Sequence, residues 1–186
     1  MENIHIKTMV YKTLEEMLFN LVWIGISDFN NIRVSANWMW PNPTKDPYQA
    51  KLMYDAMTYL SKACCKIGIA IDGGKDSLSM VTKHKDIEIK APGSLVLTGY
   101  ADVPNIYMKT TPDLKPAFNA STIILIQNIA TGNASIDDMI TNTKRIFESI
   151  QGLITSDMRI LAGHDCSDGG LLSCILEMAF AGNTGV

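Results

Sequence analysis

The run Ile67-Gly68-Ile69-Ala70-Ile71, followed directly by Asp72-Gly73-Gly74-Lys75-Asp76-Ser77-Leu78-Ser79, decides how the chain is read. A short apolar run rich in isoleucine predicts a strand buried on both faces, and the glycines after it predict a loop. Missing side chains there let backbone amides approach an anion, beside the Lys75 ammonium and the Ser77 and Ser79 hydroxyls. A glycine hairpin with polar decoration is the competing reading of the same residues. The G-x-x-x-x-G-K-[ST] spacing of a Walker loop is absent, and a further strand rather than a helix is expected next.

Working outward, the elements alternate. Upstream, Leu52, Met53, Ala56, Met57, Leu60, Ala63 and Cys64 predict a helix from about Tyr48 to Lys66, entered through the proline-rich loop Pro41 to Pro47. Ile32 to Ser35 alternates like a strand, and Leu14, Met17, Leu18, Leu21 and Val22 predict a helix from Leu14 that ends near Gly25. Glu16 and Asn20 share one face of that helix at i and i+4, a spacing that presents two hard oxygen donors to a cation or simply a solvated surface. Downstream, strands are expected at Ser79 to Val81, Ile87 to Ile89 and Ser94 to Ala101. The prolines between Val103 and Asn119 mark a subdomain boundary. Beyond it, a buried strand at Thr122 to Gln127, a helix at Ile136 to Ile150 capped by Ser135, a strand at Met158 to Ala162 and a helix from Gly169-Gly170 complete a mixed α/β pattern.

Composition narrows the function classes. With 186 residues, 47% of them hydrophobic, and a net charge of -3, the chain is long and apolar enough for a real core. A mean hydropathy of +0.09 excludes a membrane bundle, and no apolar run reaches spanning length. Lys and Arg are scattered rather than clustered, which argues against nucleic acid as a partner. No basic segment followed by an apolar stretch opens the sequence, so a cytoplasmic location is expected. The four cysteines, Cys64, Cys65, Cys166 and Cys174, form no C-x-x-C pair and are expected as buried reduced thiols.

A second polar cluster, Gly163-His164-Asp165-Cys166-Ser167-Asp168-Gly169-Gly170, sits between a predicted strand and an apolar helix. Asp165 and Asp168 suit a hard cation, and Ser167 or the backbone suits a nucleotide phosphate. The competing reading is helix capping by Ser167 or Asp168 with Asp165 facing solvent. No hydroxyl nucleophile pairs with His164 by spacing, and Cys166 shows no base of its own, so a catalytic triad is unsupported. Trp38 and Trp40 are read as core anchors, and His5 and His84 as solvent-facing.

Taken in order, Ser35-Ala36-Asn37-Trp38-Met39-Trp40, Asp72 to Met80, Ala91-Pro92-Gly93-Ser94-Leu95-Val96, Thr111-Pro112-Asp113-Leu114, His164 to Gly170 and Glu177 to Asn183 resemble the large, single-chain phosphoribosylformylglycinamidine synthase family. The resemblance covers nearly the whole chain from about Leu14 onward. It implies an architecture of two repeats similar to aminoimidazole ribonucleotide synthetase followed by a glutaminase domain, with this chain a fragment of the second repeat. Residues 1–116 would then be a partial N-terminal subdomain and residues 117–186 the beginning of a truncated C-terminal one.

The same resemblance implies an ATP- and glutamine-dependent ligase of purine biosynthesis that converts formylglycinamide ribonucleotide to the amidine. ATP would phosphorylate the amide oxygen and ammonia would displace the phosphate. Carried over residue by residue, Glu16, Asn20 and Asp165 are magnesium ligands, Ser167 contacts nucleotide, and Gly74, Lys75, Asp76 and Ser77 contact a nucleotide or substrate phosphate. No catalytic residue is assigned. The implied cofactors are Mg2+ and ATP or ADP, and the implied partners are the ribonucleotide substrate, the glutaminase domain and the first repeat, with neither nucleic acid nor membrane. Two departures stand out: residues 128–134 are short where the family carries a Gly-Gly-Ser/Thr-Ala-Leu motif, and the end at Val186 leaves the second subdomain's sheet with an unpaired edge. The chain alone is therefore expected to be inactive, and the alternative reading is a catalytically silent interaction or remnant module.

Overall fold

Helix α1, Ile4–Leu21, opens the computed structural model of the chain, which describes residues 4–115, 123–126, 135–156 and 160–186. Val10, Tyr11, Leu14, Met17 and Leu18 form its buried stripe, so the apolar period extends upstream of the expected start at Leu14. The helix also stops before Gly25, because the backbone after it is drawn into other hydrogen bonds described below. A 3-10 turn at Phe29–Asn31 follows, capped by the Asp28 carboxylate, which accepts from the Asn30 amide at 2.8 Å.

Strand β1, Arg33–Met39, alternates half-buried and buried residues, with Val34, Ala36 and Trp38 turned to the core. It runs past the expected Ser35 end, so the Asn37-Trp38-Met39 segment is strand. The core reading of the tryptophans holds: Trp40 is fully buried and its ring lies 6.5 Å from that of Trp38, centroid to centroid. A Cβ on Gly93 would come within 2.3 Å of the Trp40 ring, so only glycine lets that turn cross the indole.

Helix α2, Pro47–Ile67, starts where the sequence places a proline behind a capping aspartate. The Asp46 carboxylate accepts from the Tyr48 and Gln49 amides, and Gly68 ends the helix in the left-handed conformation at φ 85°. Burial pattern and caps agree with the expected helix at Tyr48 to Lys66.

The decisive stretch departs from expectation. Ile67 closes α2, and β2 starts at Ala70 and runs straight through the glycines to Ser77. It is an exposed edge strand, not a strand buried on both faces, and Gly74, Lys75, Asp76 and Ser77 lie in that strand, not in a loop. The physical reason is nonlocal: β2 pairs in parallel with β1, from Arg33 opposite Ala70 to Met39 opposite Ser77. An irregularity between Val34 and Ser35 absorbs Asp72, and Gly74, at φ 145°, passes so close to β1 that a Cβ would lie 2.0 Å from the Ala36 carbonyl oxygen.

Strands β3, Val81–His84, and β4, Ile87–Lys90, form a separate hairpin, and β5, Ser94–Tyr100, returns antiparallel to β1. The main sheet is ordered β2-β1-β5, with α1 packed on β5 and α2 on β2. Tyr100 donates its hydroxyl hydrogen to Asp72, tying the outer strands across β1. That bond raises the Tyr100 phenol above its usual range.

Helix α3, Ile136–Thr155, begins with a capping box in which Ser135 and Asp138 bond each other's backbone amides, and it packs on α1 and α2 through Ile140, Phe147 and Ile150. Phe147 meets Phe29 edge to face at 5.1 Å. Helix α4 spans Gly170–Gly182. Neither of the last two expected strands appears among the described residues. Residues 123–126 are exposed and not in a strand, and neither are 160–162; Thr122, Gln127, Met158 and Arg159 lie outside the described residues, as do Pro116 and 128–134. Among the described residues, no helix is long and apolar enough to cross a membrane.

The contrast between two adjacent glycines checks the β1–β2 pairing. Gly74→Ala is expected to cost about 2 kcal/mol or more in denaturant unfolding, from strain and the clash with Ala36. Gly73→Ala, at a residue with open space around it, is expected to change stability by less than about 1 kcal/mol.

Candidate functional site

The site is built around the C-terminal end of α1. Glu16 and Asn20 stand one turn apart on its exposed face, as the spacing requires. Asn20 lines a hollow of about 250 Å3 between α1 and β5, with Met17, Leu21, Leu97, Thr98 and Gly99 as the other walls. Gly99 lets strand and helix approach here, since a Cβ would meet the Met17 sulfur at 3.0 Å.

The chain leaves α1 as Val22 to Ile26, a segment in which helical hydrogen bonding has stopped. Gln151 of α3 takes over its backbone groups. Its side-chain Nε2 donates to Val22 O at 2.7 Å and Ile24 O at 2.8 Å, and its Oε1 accepts from the Ile26 amide at 3.0 Å. Residues 108–110 take further groups: Ile24 bridges to Lys109, Gly25 N donates to Met108 O at 2.7 Å, and Thr110 N donates to Trp23 O at 2.8 Å. Sequence reasoning missed Gln151. Its signal was a polar residue beside Ile150, on a helix that buries Ile140, Phe147 and Ile150.

Trp23, thus held, is the seat for the second polar cluster. A Cβ on Gly163 would lie 2.1 Å from the Trp23 ring, and Gly163 N donates to Thr111 O at 3.2 Å. From there His164 Nδ1 lies 2.7 Å from the Asp165 carbonyl oxygen and 3.5 Å from its Oδ1, while Nε2 faces Glu177 of α4 at 3.5 Å. Asp165 is largely buried, its side chain 12% exposed, and Ser167 and Asp168 are exposed. The competing reading, capping by Ser167 or Asp168, is not met. Gly169 caps α4 in the left-handed region with no side-chain hydrogen bond, so the first amides of α4 have no side-chain acceptor.

The Thr111 to Lys115 segment clasps this turn to α4. Leu114 N donates to Met178 O at 3.3 Å, and its backbone crosses Gly182 so closely that a Cβ there would fall 2.4 Å from Leu114 O. Lys115 bonds Thr111 Oγ1 and pairs with Asp113, holding that carboxyl below the usual range. The thiols divide, against the expectation of four buried ones: Cys64 and Cys174 are buried, while Cys65 and Cys166 are exposed. Burial pushes Cys64 and Cys174 up to about 11.

Of the expected ligands, two share the α1 face and the third lies on the turn after Gly163. Glu16 and Asn20 adjoin each other, and Asp165 follows the Gly163 turn seated on Trp23, just beyond Asn20 along the chain. Among the described residues, no group of three or more His, Cys, Asp or Glu is arranged to hold a metal ion. Gly74, Lys75, Asp76 and Ser77 stand on the other edge of the sheet, two strand spacings or about 10 Å from β5. Lys75 and Asp76 there are exposed.

Two family models match the chain: the FGAR-AT PurM_N-like domain over residues 4–102, and the AIR synthase related protein, C-terminal domain, over residues 125–186. Among similar curated proteins, the probable phosphoribosylformylglycinamidine synthase, chloroplastic/mitochondrial, of Arabidopsis thaliana is 39% identical over 97% of this chain. The phosphoribosylformylglycinamidine synthases of Dictyostelium discoideum and Homo sapiens are each 37% identical, over 97% and 92% of it. The chain spans 14% to 15% of the length of these relatives.

The role of Gln151 is open to direct test. Gln151→Leu, which strands three backbone groups, is expected to lower unfolding stability by about 2 kcal/mol. The neighbouring Gly152→Ala, in a helix with open space around it, is expected to raise it by up to about 1 kcal/mol.

Proposed function

The chain belongs to the phosphoribosylformylglycinamidine synthase family, matching its PurM_N-like domain over 4–102, and from that premise we propose that it binds a magnesium-complexed adenine nucleotide at the α1 end. Glu16, Asn20 and Asp165 would hold the cation, and Ser167 with the uncapped amides of α4 would take a phosphate. The observation that carries this reading is the placement of Asn20 on the wall of the hollow between α1 and β5, with Glu16 one turn away. The donor set fits the ion: carboxylate and carboxamide oxygens suit magnesium, which keeps several waters and takes few protein ligands. When bound, the ion would neutralise phosphate charge.

The chain's own residues prepare the pocket. His164, between Asp165 and Glu177, orients the Asp165 turn; Gly163 fits it against Trp23. Gly74, Lys75, Asp76 and Ser77 are assigned to a phosphate of the ribonucleotide substrate rather than to the cation, since they lie at the far edge of the sheet. The exposed Lys75 ammonium is the group suited to it.

At the level of the whole family protein, the proposed reaction is ATP- and glutamine-dependent formation of formylglycinamidine ribonucleotide, a step of purine biosynthesis in the cytoplasm. The glutaminase domain and the first repeat would be its partners. This chain contributes binding and not turnover, so no amidine formation is expected from it in isolation. A catalytically silent interaction module is the second reading. It is favoured by the exposed apolar side chains of α4, with Leu172 71% and Phe180 77% exposed, which call for a covering surface.

Calorimetry separates the two. MgADP is expected to give a saturable heat that Glu16→Gln and Asp165→Asn each weaken about tenfold or more, as loss of a charged ligand should. Lys75→Ala should leave it unchanged. Absence of binding, or equal binding by wild type and both carboxylate variants, would leave only the interaction module.

A further inference from the structure

The same tripeptide occurs at Asp72-Gly73-Gly74 and at Asp168-Gly169-Gly170, exposed in both places. We infer that the fold treats the two differently: Asp168 is a site of spontaneous backbone isomerisation, closing onto the Gly169 nitrogen to give a succinimide that water reopens to isoaspartate, while Asp72 is protected. Glycine after aspartate favours the closure, because no side chain blocks the approach of its nitrogen to the carboxyl carbon. What then decides the outcome is whether the two reacting groups are free. At Asp168 they are. Gly169 stands ahead of α4 at φ 93°, its N–H has no acceptor among the described residues, and the Asp168 carboxylate makes no hydrogen bond or ion pair among them. At Asp72 both are engaged. The carboxylate accepts from the Tyr100 hydroxyl, and Gly73 is paired opposite Ser35 in the β1–β2 ladder. Gly74 locks the backbone there, since a Cβ on it would lie 2.0 Å from the Ala36 carbonyl oxygen.

The reaction needs only water. The Gly169 nitrogen bonds to Asp168 Cγ and gives up its hydrogen, and a carboxyl oxygen leaves as water with that hydrogen and the carboxyl proton. Water then adds to one of the two ring carbonyls and breaks its bond to nitrogen. Opening at Cγ restores aspartate. Opening at the main-chain carbonyl leaves the chain running through Cβ and Cγ, with the former main-chain carbon as a free carboxylate. Composition and mass are unchanged, and the backbone is one carbon longer.

The inserted carbon falls inside the turn in which Gly170 N donates to Ser167 O at 3.1 Å. That bond spans the altered link, so isomerisation breaks the turn and moves Ser167 relative to the first amides of α4. The effect on nucleotide rests on the site proposed above. The isomerisation itself depends on backbone geometry and stands whether or not the chain holds nucleotide.

The test incubates the full chain in heavy-oxygen water at neutral pH, returns it to ordinary water before digestion, and maps the label by peptide mass spectrometry. Electron-transfer fragmentation tells isoaspartate from aspartate. Each passage through the ring adds one heavy oxygen, so the label counts closures. In the folded chain the Asp168 peptide is expected to gain label at least about tenfold faster than the Asp72 peptide, because Asp72 reacts only from a locally opened strand. In denaturing urea, where neither copy is held, the two should label at similar rates. D168E, at an exposed position, carries a side chain too long to close the same ring and should lose the label from that peptide alone. Equal labelling of the two copies in the folded chain, a preference for Asp72, or no label at Asp168 would overturn the assignment. So would a preference for Asp168 that persists in urea, since neighbouring sequence and not the fold would then set the rate.

Discussion

The three hydrogen bonds of Gln151 are the constraint on which the rest of the structure depends. A helix that ends leaves carbonyls without partners, and after α1 a side chain from another helix supplies them. One carboxamide on α3 accepts from Ile26 and donates to Val22 and Ile24. This fixes where α1 stops, and therefore where Asn20 and Trp23 stand. Trp23 in turn receives Gly163, and Gly163 sets the course of the polar turn into α4. A single long-range contact thus connects the first helix to a motif far along the chain.

A second constraint acts on the sheet. Parallel strands need a long crossover, and α2 provides it between β1 and β2. The approach of β2 to β1 leaves no room for a side chain at Gly74, so the glycines that read as a loop serve instead to permit close pairing. The edge they occupy is open, which keeps Lys75 accessible while separating it from α1. The two polar groupings therefore stand apart, one beside the helix end and one on the far strand.

What could be read from the sequence was whatever local physics decides. The apolar stripe of α2 behind its proline-rich loop and the Ser135 cap of α3 announced those helices, because stripe and cap both act within a turn or two of their own helix. The alternation in β1 was visible, as was the glycine-led start of α4. The course of β2 was not, since nothing in Asp72 to Ser77 encodes its pairing with Arg33 to Met39. Residues 123–126 carried the apolar signature of a buried strand yet are exposed, because burial depends on what packs against them. Of the candidate site, the Glu16 and Asn20 pair and the Asp165 turn were legible as motifs. Gln151 was not, as its three hydrogen bonds arise from folding remote segments together.

The central claim is that one divalent ion is shared between the α1 face and the Asp165 turn. Paramagnetic broadening by Mn2+ in the presence of ADP tests it most directly, read on the amide resonances of the isotope-labelled chain. The account predicts that the Asn20 side-chain amide and the backbone amides of Asp165 and Ser167 vanish together at the same substoichiometric manganese level. Broadening of only one of the two groups, or of neither, would contradict it.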